Sequence, residues 1–324
     1  MSGTMSKHSG PFAALLFGLA TIFLFAFQSC ALPAAPADRY AIVIGIAAYP
    51  AYPLKYPVDD ANDMATLLRS TGWTVDSADV LLDSVATRSA IQTAIAAFTS
   101  KVGSNSSILV YYSGHGAISS DDKTAYMIPY DGIISPDGYD MTKWITAADI
   151  DGWLNAIPCS NRILILDSCY SGGFVDTSAS TDAAPANYGP NDGGVTKGSI
   201  SIALADASGL LAKAFSDSSD PSILTISAAG MLEPSYDDEG HLHGAFTYWL
   251  LQAGSDSSAD RDGNKLVTAT EAYAYAKDKL LTNWDVLFSS TPTSVTDSSG
   301  NPIYADFLPR ISGGSGDIVL YDNR

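Results

Sequence analysis

Cysteine is scarce in this chain: three among 324 residues, too few for a disulfide framework. Basic residues are scarce too. Seventeen Lys and Arg stand against 35 Asp and Glu, giving a net charge of −18 and a pI near 4.3. Such a surface repels nucleic-acid phosphates and anionic membranes, and it attracts basic peptides or divalent cations. The solubility of an exported protein would account for the same charge. Charged residues make up only 16% while hydrophobic ones reach 46%, a balance that excludes disorder and provides for a substantial core. There is no internal repeat. The apolar run Phe12–Phe27, interrupted by Gly18 and Thr21, is short for a membrane span.

That run follows Lys7 and His8 and has the layout of a secretory signal, with Met5 an alternative start. It ends at Phe27-Gln28-Ser29-Cys30, a sequence like a bacterial lipoprotein processing site, in which Cys30 would carry the lipid. Ala35-Pro36-Ala37 is a competing cleavage site, and an uncleaved anchor is the third alternative. The expected layout is a signal at 1–29, a linker at 30–38 and one domain at 39–324. The protein is then exported to a bacterial periplasm or envelope, or secreted, and meets a membrane only through a lipid anchor.

Beyond the linker, strand and helix patterns alternate as in a doubly wound α/β fold. Strands are expected at 39–46, 79–82, 107–112, 162–167, 223–227 and 317–321, with a short extended piece at 126–129. Helices are expected at 58–70, 88–102 (capped by Thr87), 147–157 (capped by Thr146), 199–215, 245–253 and 270–281. Residues 175–198, rich in Ala, Ser, Asp, Gly and Pro, read as an exposed loop. It divides a larger part, 39–174, from a smaller one, 199–324.

Two of the strands end in reactive residues. Ser107–Tyr112 runs into Ser113-Gly114-His115-Gly116, and Arg162–Leu166 runs into Asp167-Ser168-Cys169-Tyr170-Ser171-Gly172-Gly173. Short β-branched runs bounded by Gly and Ser read as buried parallel strands. Chemistry in open α/β sheets collects at their carboxyl ends, where a His and a Cys can serve as base and nucleophile. Cys159, after Pro158, reads as a small buried filler. A Cys159–Cys169 bridge would silence the nucleophile.

At Tyr-Ser-Gly-His-Gly and Asp-Ser-Cys-Tyr-Ser-Gly-Gly the chain resembles the caspase-fold cysteine peptidases, most closely the bacterial metacaspase-like group. The resemblance continues through Tyr40–Gly45, Pro57–Met64, Met127–Asp131 and His243–Leu251 and covers about residues 39–282. It implies a caspase-like α/β fold with a mostly parallel central sheet flanked by helices on both faces. It also implies a Cys169 thiolate nucleophile, His115 as proton shuttle, and an oxyanion hole from the backbone N–H groups of Gly116 and Cys169. Asp60, Ser113, Asp167 and Pro57 map to positions lining the substrate pocket. An acidic pocket selects Arg or Lys, whereas an Asp-selective one needs a buried Arg. Asp59 and Asp60 could instead only complement a helix dipole. Lys197, in the loop between the two parts, is the first candidate for self-processing.

A second candidate site spans 260–271. Asp260, Asp262, Asn264, the Leu266 carbonyl, Thr268 and Glu271 occupy the ligand positions of an EF-hand loop, which points to calcium. Lys265 stands where Gly is expected, and an acidic helix-entry turn without metal is the alternative. His241 and His243 lack a third partner at ligand spacing, and His243-Gly244 reads as a helix opening. The chemistry itself requires no cofactor. The expected activity is an exported endopeptidase acting on peptides or proteins with basic residues. A catalytically silent caspase-like binding domain and a peptide ligase using the same dyad are the alternatives.

Overall fold

In a computed structural model of the chain, the described residues are 38–50, 53–118, 125–132, 134–135, 138–168, 195–196, 220–228, 235–238, 240–282, 308–314 and 317–324. All belong to one unit, Ala37–Arg324. The leader with Cys30, the expected helix 199–215, the nucleophile candidate Cys169 and the processing candidate Lys197 lie outside the described residues.

The chain opens with β1 (Arg39–Gly45), α1 (Pro57–Ser70), β2 (Val80–Leu82), α2 (Arg88–Ala97) and β3 (Ser107–Ser113). Short strands follow: β4 (Gly116–Ile118), β5 (Ala125–Met127), the hairpin β6 (Ile134–Ser135) and β7 (Gly138–Tyr139), and β8 (Ile145–Thr146). Next come α3 (Ala147–Asn155), β9 (Asn161–Asp167), β10 (Val195–Thr196), β11 (Ile223–Ser227), β12 (Tyr236–Asp238) and β13 (His243–Gly244). The described elements end with α4 (Ala245–Ala253), β14 (Leu266–Thr268), α5 (Ala269–Leu280), β15 (Arg310–Ser312) and β16 (Val319–Asp322).

The central sheet has the order β15-β11-β9-β3-β1-β2. Its pairings are parallel except at the β15 edge. Side chains alternate across it. Ala41, Val43, Leu109, Tyr111, Ile163 and Ile165 face a core shared with α1, α4 and α5. Ile42, Ile44, Val110, Tyr112, Leu164 and Leu166 face a second core shared with α2 and α3. A sheet covered on both faces demands apolar residues at consecutive positions, and these strands read as unbroken Val/Ile/Leu runs for that reason.

The strands named from sequence stand within a residue or two of their expected places, with two departures elsewhere in the chain. The helix expected to reach residue 102 stops at Ala97. Thr99 and Ser100 turn their hydroxyls onto the carbonyls of Ala96 and Ala97, which draws the backbone out of the helical ladder. Val195 and Thr196, placed in an exposed loop on composition, form β10 and pair with Tyr236 and Asp237 of β12. Both are β-branched, the type that favours a pleated backbone. The last strand pairs with β14, outside the central sheet.

Candidate active site

The site is built where the central strands end level with one another. Gly45, Ser113 and Asp167 are register partners across β1, β3 and β9, which brings three carboxyl ends into one row. Helix α1 starts directly over this row. Pro57 occupies its first turn, where a residue without N–H costs nothing. Gly45 lets it sit close, since a Cβ there would lie 2.3 Å from the Pro57 carbonyl oxygen. That approach sets Asp60, in the same first turn, over the ends of β1 and β3.

Asp60 and Asp167 are both fully buried, and each is surrounded by donors. Asp60 accepts from Ser113 Oγ at 2.7 Å and from the Gly244 N–H at 2.9 Å, and its Oδ1 faces His243 Nδ1 at 3.0 Å. Asp167 accepts from Ser235 Oγ at 2.6 Å. It also accepts from Thr247 at Oγ1, 2.6 Å, and at the backbone N–H, 3.3 Å. Thr247 lies in the first turn of α4, so a helix start supplies this acid with donors and a favourable dipole. The Thr247 hydroxyl, donating to Asp167, is free to accept from Tyr111, whose oxygen lies 2.6 Å away. Burial, then the negative charges of Asp60 and Asp167, raise the Tyr111 phenol well above its usual range. It therefore stays a neutral donor.

His115 lies two residues beyond Ser113 and is fully buried. Its main chain is held by two tyrosines. The His115 N–H donates to Tyr49 Oη at 3.1 Å, and its carbonyl accepts from Tyr112 Oη at 2.6 Å. Tyr49 in turn donates to the Ile128 carbonyl at 2.8 Å, and its ring lies against the imidazole with centroids 4.5 Å apart. Gly114 is obligatory here, because a Cβ would come within 2.8 Å of both phenol oxygens. Gly116 opens β4 opposite Met127, so a second sheet fixes the residue that follows the imidazole. The Cys159 thiol is free and buried, its pKa raised chiefly by that burial. A raised pKa disfavours the thiolate, so a filler is the part it suits.

Thus Asp60, Ser113, Asp167, Pro57, His115 and Gly116 fall at one end of the sheet. The sequence reading missed the groups that hold them: Ser235, Thr247, His243, Tyr49 and Tyr112. Thr247 carried a faint signal as the lone hydroxyl among Ala245, Phe246 and Leu250, all buried. His243 carried none, since a His before a Gly at a helix start reads equally as a cap.

His241 and His243 do not converge on one point. His241 Nδ1 meets Asp238 Oδ2 at 2.6 Å, and its ring stacks on Tyr248 at 3.8 Å. His243 instead meets Asp60 and, through Nε2, Asp63 at 3.2 Å.

The loop 260–271 lies between α4 and α5. Asp260, Asp262 and Glu271 each present an oxygen within 4.8 Å of the others, the one such three-residue group of metal-ligating type among the described residues. Lys265 takes the left-handed backbone, φ +67°, that the sequence position demands of a glycine, at a cost of about 1–2 kcal/mol. The remaining polar groups serve the loop itself. Asp260 accepts from the N–H groups of Gly263, Asn264 and Lys265, and Asn264 Oδ1 accepts from that of Leu266. Thr268 and Glu271 form a reciprocal cap on α5, and the Leu266 segment pairs with β16.

The family comparison agrees with this architecture. The family model for the caspase domain matches residues 38–281. Among solved structures, a structural-genomics protein of Geobacter sulfurreducens aligns at 16% identity with a TM-score of 0.48, covering 86% of this chain and 95% of that one. Caspase-1 of Spodoptera frugiperda aligns at 12% identity with a TM-score of 0.46, covering 88% and 92%. No curated protein matches. The family model takes in every strand of the central sheet but its antiparallel edge, and with them His115 and both buried acids, and the chain belongs to the caspase domain family.

Proposed function

We propose that this protein is an exported cysteine endopeptidase of metacaspase-like type that cleaves after Arg or Lys. Cys169 is the nucleophile and His115 the proton shuttle, with a thioester intermediate. The Cys169 thiolate attacks the peptide carbonyl. The oxyanion is met by the N–H groups of Gly116 and Cys169, and His115 delivers a proton to the departing amine. Water then releases the acid product. The observation that carries this reading is the pair of fully buried carboxylates, Asp60 and Asp167, linked through the register of Ser113 and lying beside a buried His115. Hydroxyl and backbone donors already meet both carboxylates, and an incoming guanidinium or ammonium would add the positive charge that such neutral donors lack. The layout that goes with it is a signal at 1–29, lipid at Cys30, a linker to residue 38 and a peptidase domain from 39 to 324. Lys197 is the candidate for self-processing.

The test is release of fluorophore from Arg-, Lys- and Asp-terminated peptides beside Cys169→Ala. Activity restricted to the basic substrates and absent from the variant supports the reading. Cleavage after Asp would overturn the pocket and leave the chemistry standing. Silence from a folded protein would favour a binding domain. Adding an amine nucleophile separates hydrolysis from ligation by its products.

A separable reading is that the loop 260–271 takes calcium, favoured by three converging carboxylates in an oxygen-only donor set. Calcium is then expected to raise the melting temperature of the native chain but not of Glu271→Gln. Equal response of the two proteins would leave the loop as a capped helix entry.

A further inference from the structure

His243 is held by a carboxylate at each ring nitrogen. Nδ1 lies 3.0 Å from Asp60 Oδ1, and Nε2 lies 3.2 Å from Asp63 Oδ2. A neutral imidazole has one N–H and one lone pair, so in that form one of these contacts would set a lone pair against an anion. Only the imidazolium donates at both ends. As imidazolium, His243 places a cation of the chain's own on the buried acid that the proposed pocket reserves for a basic substrate. The adjoining Gly244 N–H fixes the same oxygen of Asp60, so the imidazole comes to this acid as part of β13.

The surroundings of His243 are acidic on two of the packed sides and aromatic on the third. Helix α1 contributes Asp59, Asp60 and Asp63. Strand β12 brings Asp238 opposite His243 in register, with His241 bound to that same Asp238. Helix α4 contributes the Tyr248 ring, nearly parallel at 6.4 Å. Burial by itself would lower the imidazole pKa. The hydrogen bond and charge of Asp60, then the charges of Asp63 and Asp59, outweigh it and leave the pKa above the ordinary 6.5.

We infer that His243 sets the charge of the basic-residue pocket: as imidazolium it neutralises Asp60 and competes with the incoming Arg or Lys, and as neutral imidazole it releases Asp60 to bind that residue. The inference rests on the proposed pocket and adds to it a specificity-determining side chain supplied by the chain itself. By reciprocity, a bound basic side chain must lower the proton affinity of His243 as much as the proton lowers the affinity for that side chain.

The experiment uses the full chain carrying Cys169→Ala, so that no turnover occurs, with Nα-acetylarginine amide as the probe, whose charge does not change over the range used. His243 is followed by its imidazole resonances across pH 5 to 8.5 with and without the probe, and probe affinity is measured over the same range. The expected result is a fall of about one pH unit in the His243 titration on saturation, with affinity strengthening about tenfold as pH rises through it. His243→Gln should bind with an affinity that does not change with pH. Asp63→Asn, an alteration of a largely exposed side chain, should move the titration to lower pH. Binding that leaves the His243 titration where it was would overturn the inference while the pocket stands. Absence of binding in both the parent and His243→Gln would overturn the pocket and the inference together.

Discussion

At the scale of single residues, the site is a problem of housing two acids away from water. Asp167 depends on hydroxyls: Ser235 on one oxygen and Thr247 on the other, with Tyr111 feeding Thr247 from behind. Removing one hydroxyl weakens the hydrogen bonding of two groups at once. Thr247→Val keeps the shape, deprives Asp167 of one of its two 2.6 Å hydroxyl donors and takes from the Tyr111 phenol its 2.6 Å hydroxyl partner. An unsatisfied buried partner costs about 1–3 kcal/mol, more when it is charged. Urea unfolding of Thr247→Val is expected to show a loss of that size, and Thr247→Ser should recover most of it. If the acid serves the pocket, KM for Arg peptides should rise in the same variant. These donors were not legible in the sequence. Ser235 and Thr247 lie far along the chain from Asp167, and hydroxyl residues are too common for any one of them to stand out. Asp167 itself was legible, because a carboxylate flanking an apolar strand has few other reasons to be there; Asp60 came through the family resemblance, since an acid in a helix's first turn serves the dipole equally well.

At the scale of elements, the alternation of apolar runs and helical patterns fixed most strands and helix starts. Thr87 and Thr146 cap helices as the sequence suggested, and Thr268, read there as a calcium-ligand position, caps α5 with Glu271 as its reciprocal partner. What the pattern could not give was distance between elements. Gly45 reads as the end of a strand, yet its lack of a side chain is what lets α1 close to contact and seats Asp60. Gly45→Ala would force the Pro57 carbonyl and the Ala61 methyl outward. Overpacking of this kind costs about 1–3 kcal/mol, and it should also reduce activity by shifting the first turn of α1. Gly152, within α3, has no atom within 4 Å of where a Cβ would stand. There the same substitution is expected to stabilise by about 0.5–1 kcal/mol, because the helix gains rigidity and loses nothing. Thermal or urea unfolding of the two variants should therefore give opposite signs. The same sign in both would show that α1 tolerates the displacement.

At the scale of the whole molecule, the family match ends at residue 281, but the folded unit continues to Arg324. The terminal strand β16 joins parts that are distant in sequence. The Leu320 carbonyl accepts from the Trp73 indole at 2.6 Å, just beyond α1, and the Tyr321 hydroxyl donates to the Leu250 carbonyl of α4 at 3.0 Å. The Ile318 carbonyl accepts from the first N–H of α5 at 2.8 Å, and β16 pairs along β14 at the edge of the acidic loop. Leu320 and Tyr321 are fully buried in the core shared by α1, α4 and α5, and burial of side chains of this kind contributes about 1.5–3 kcal/mol apiece. Removing residues 317–324 would uncover that core and leave β14 without its pairing partner. Against a total stability of about 5–15 kcal/mol for a typical domain, such a loss is severe. The truncated chain is expected to melt far below the parent or to fail to accumulate as soluble protein. If it melted with the parent, as followed by circular dichroism, the remainder of the chain would be self-sufficient and the terminal strand an accessory. The packing of Trp73 and Leu250 against β16 argues for the first outcome, because Leu250 belongs to the helix that seats Asp167 and Trp73 closely follows the one that seats Asp60.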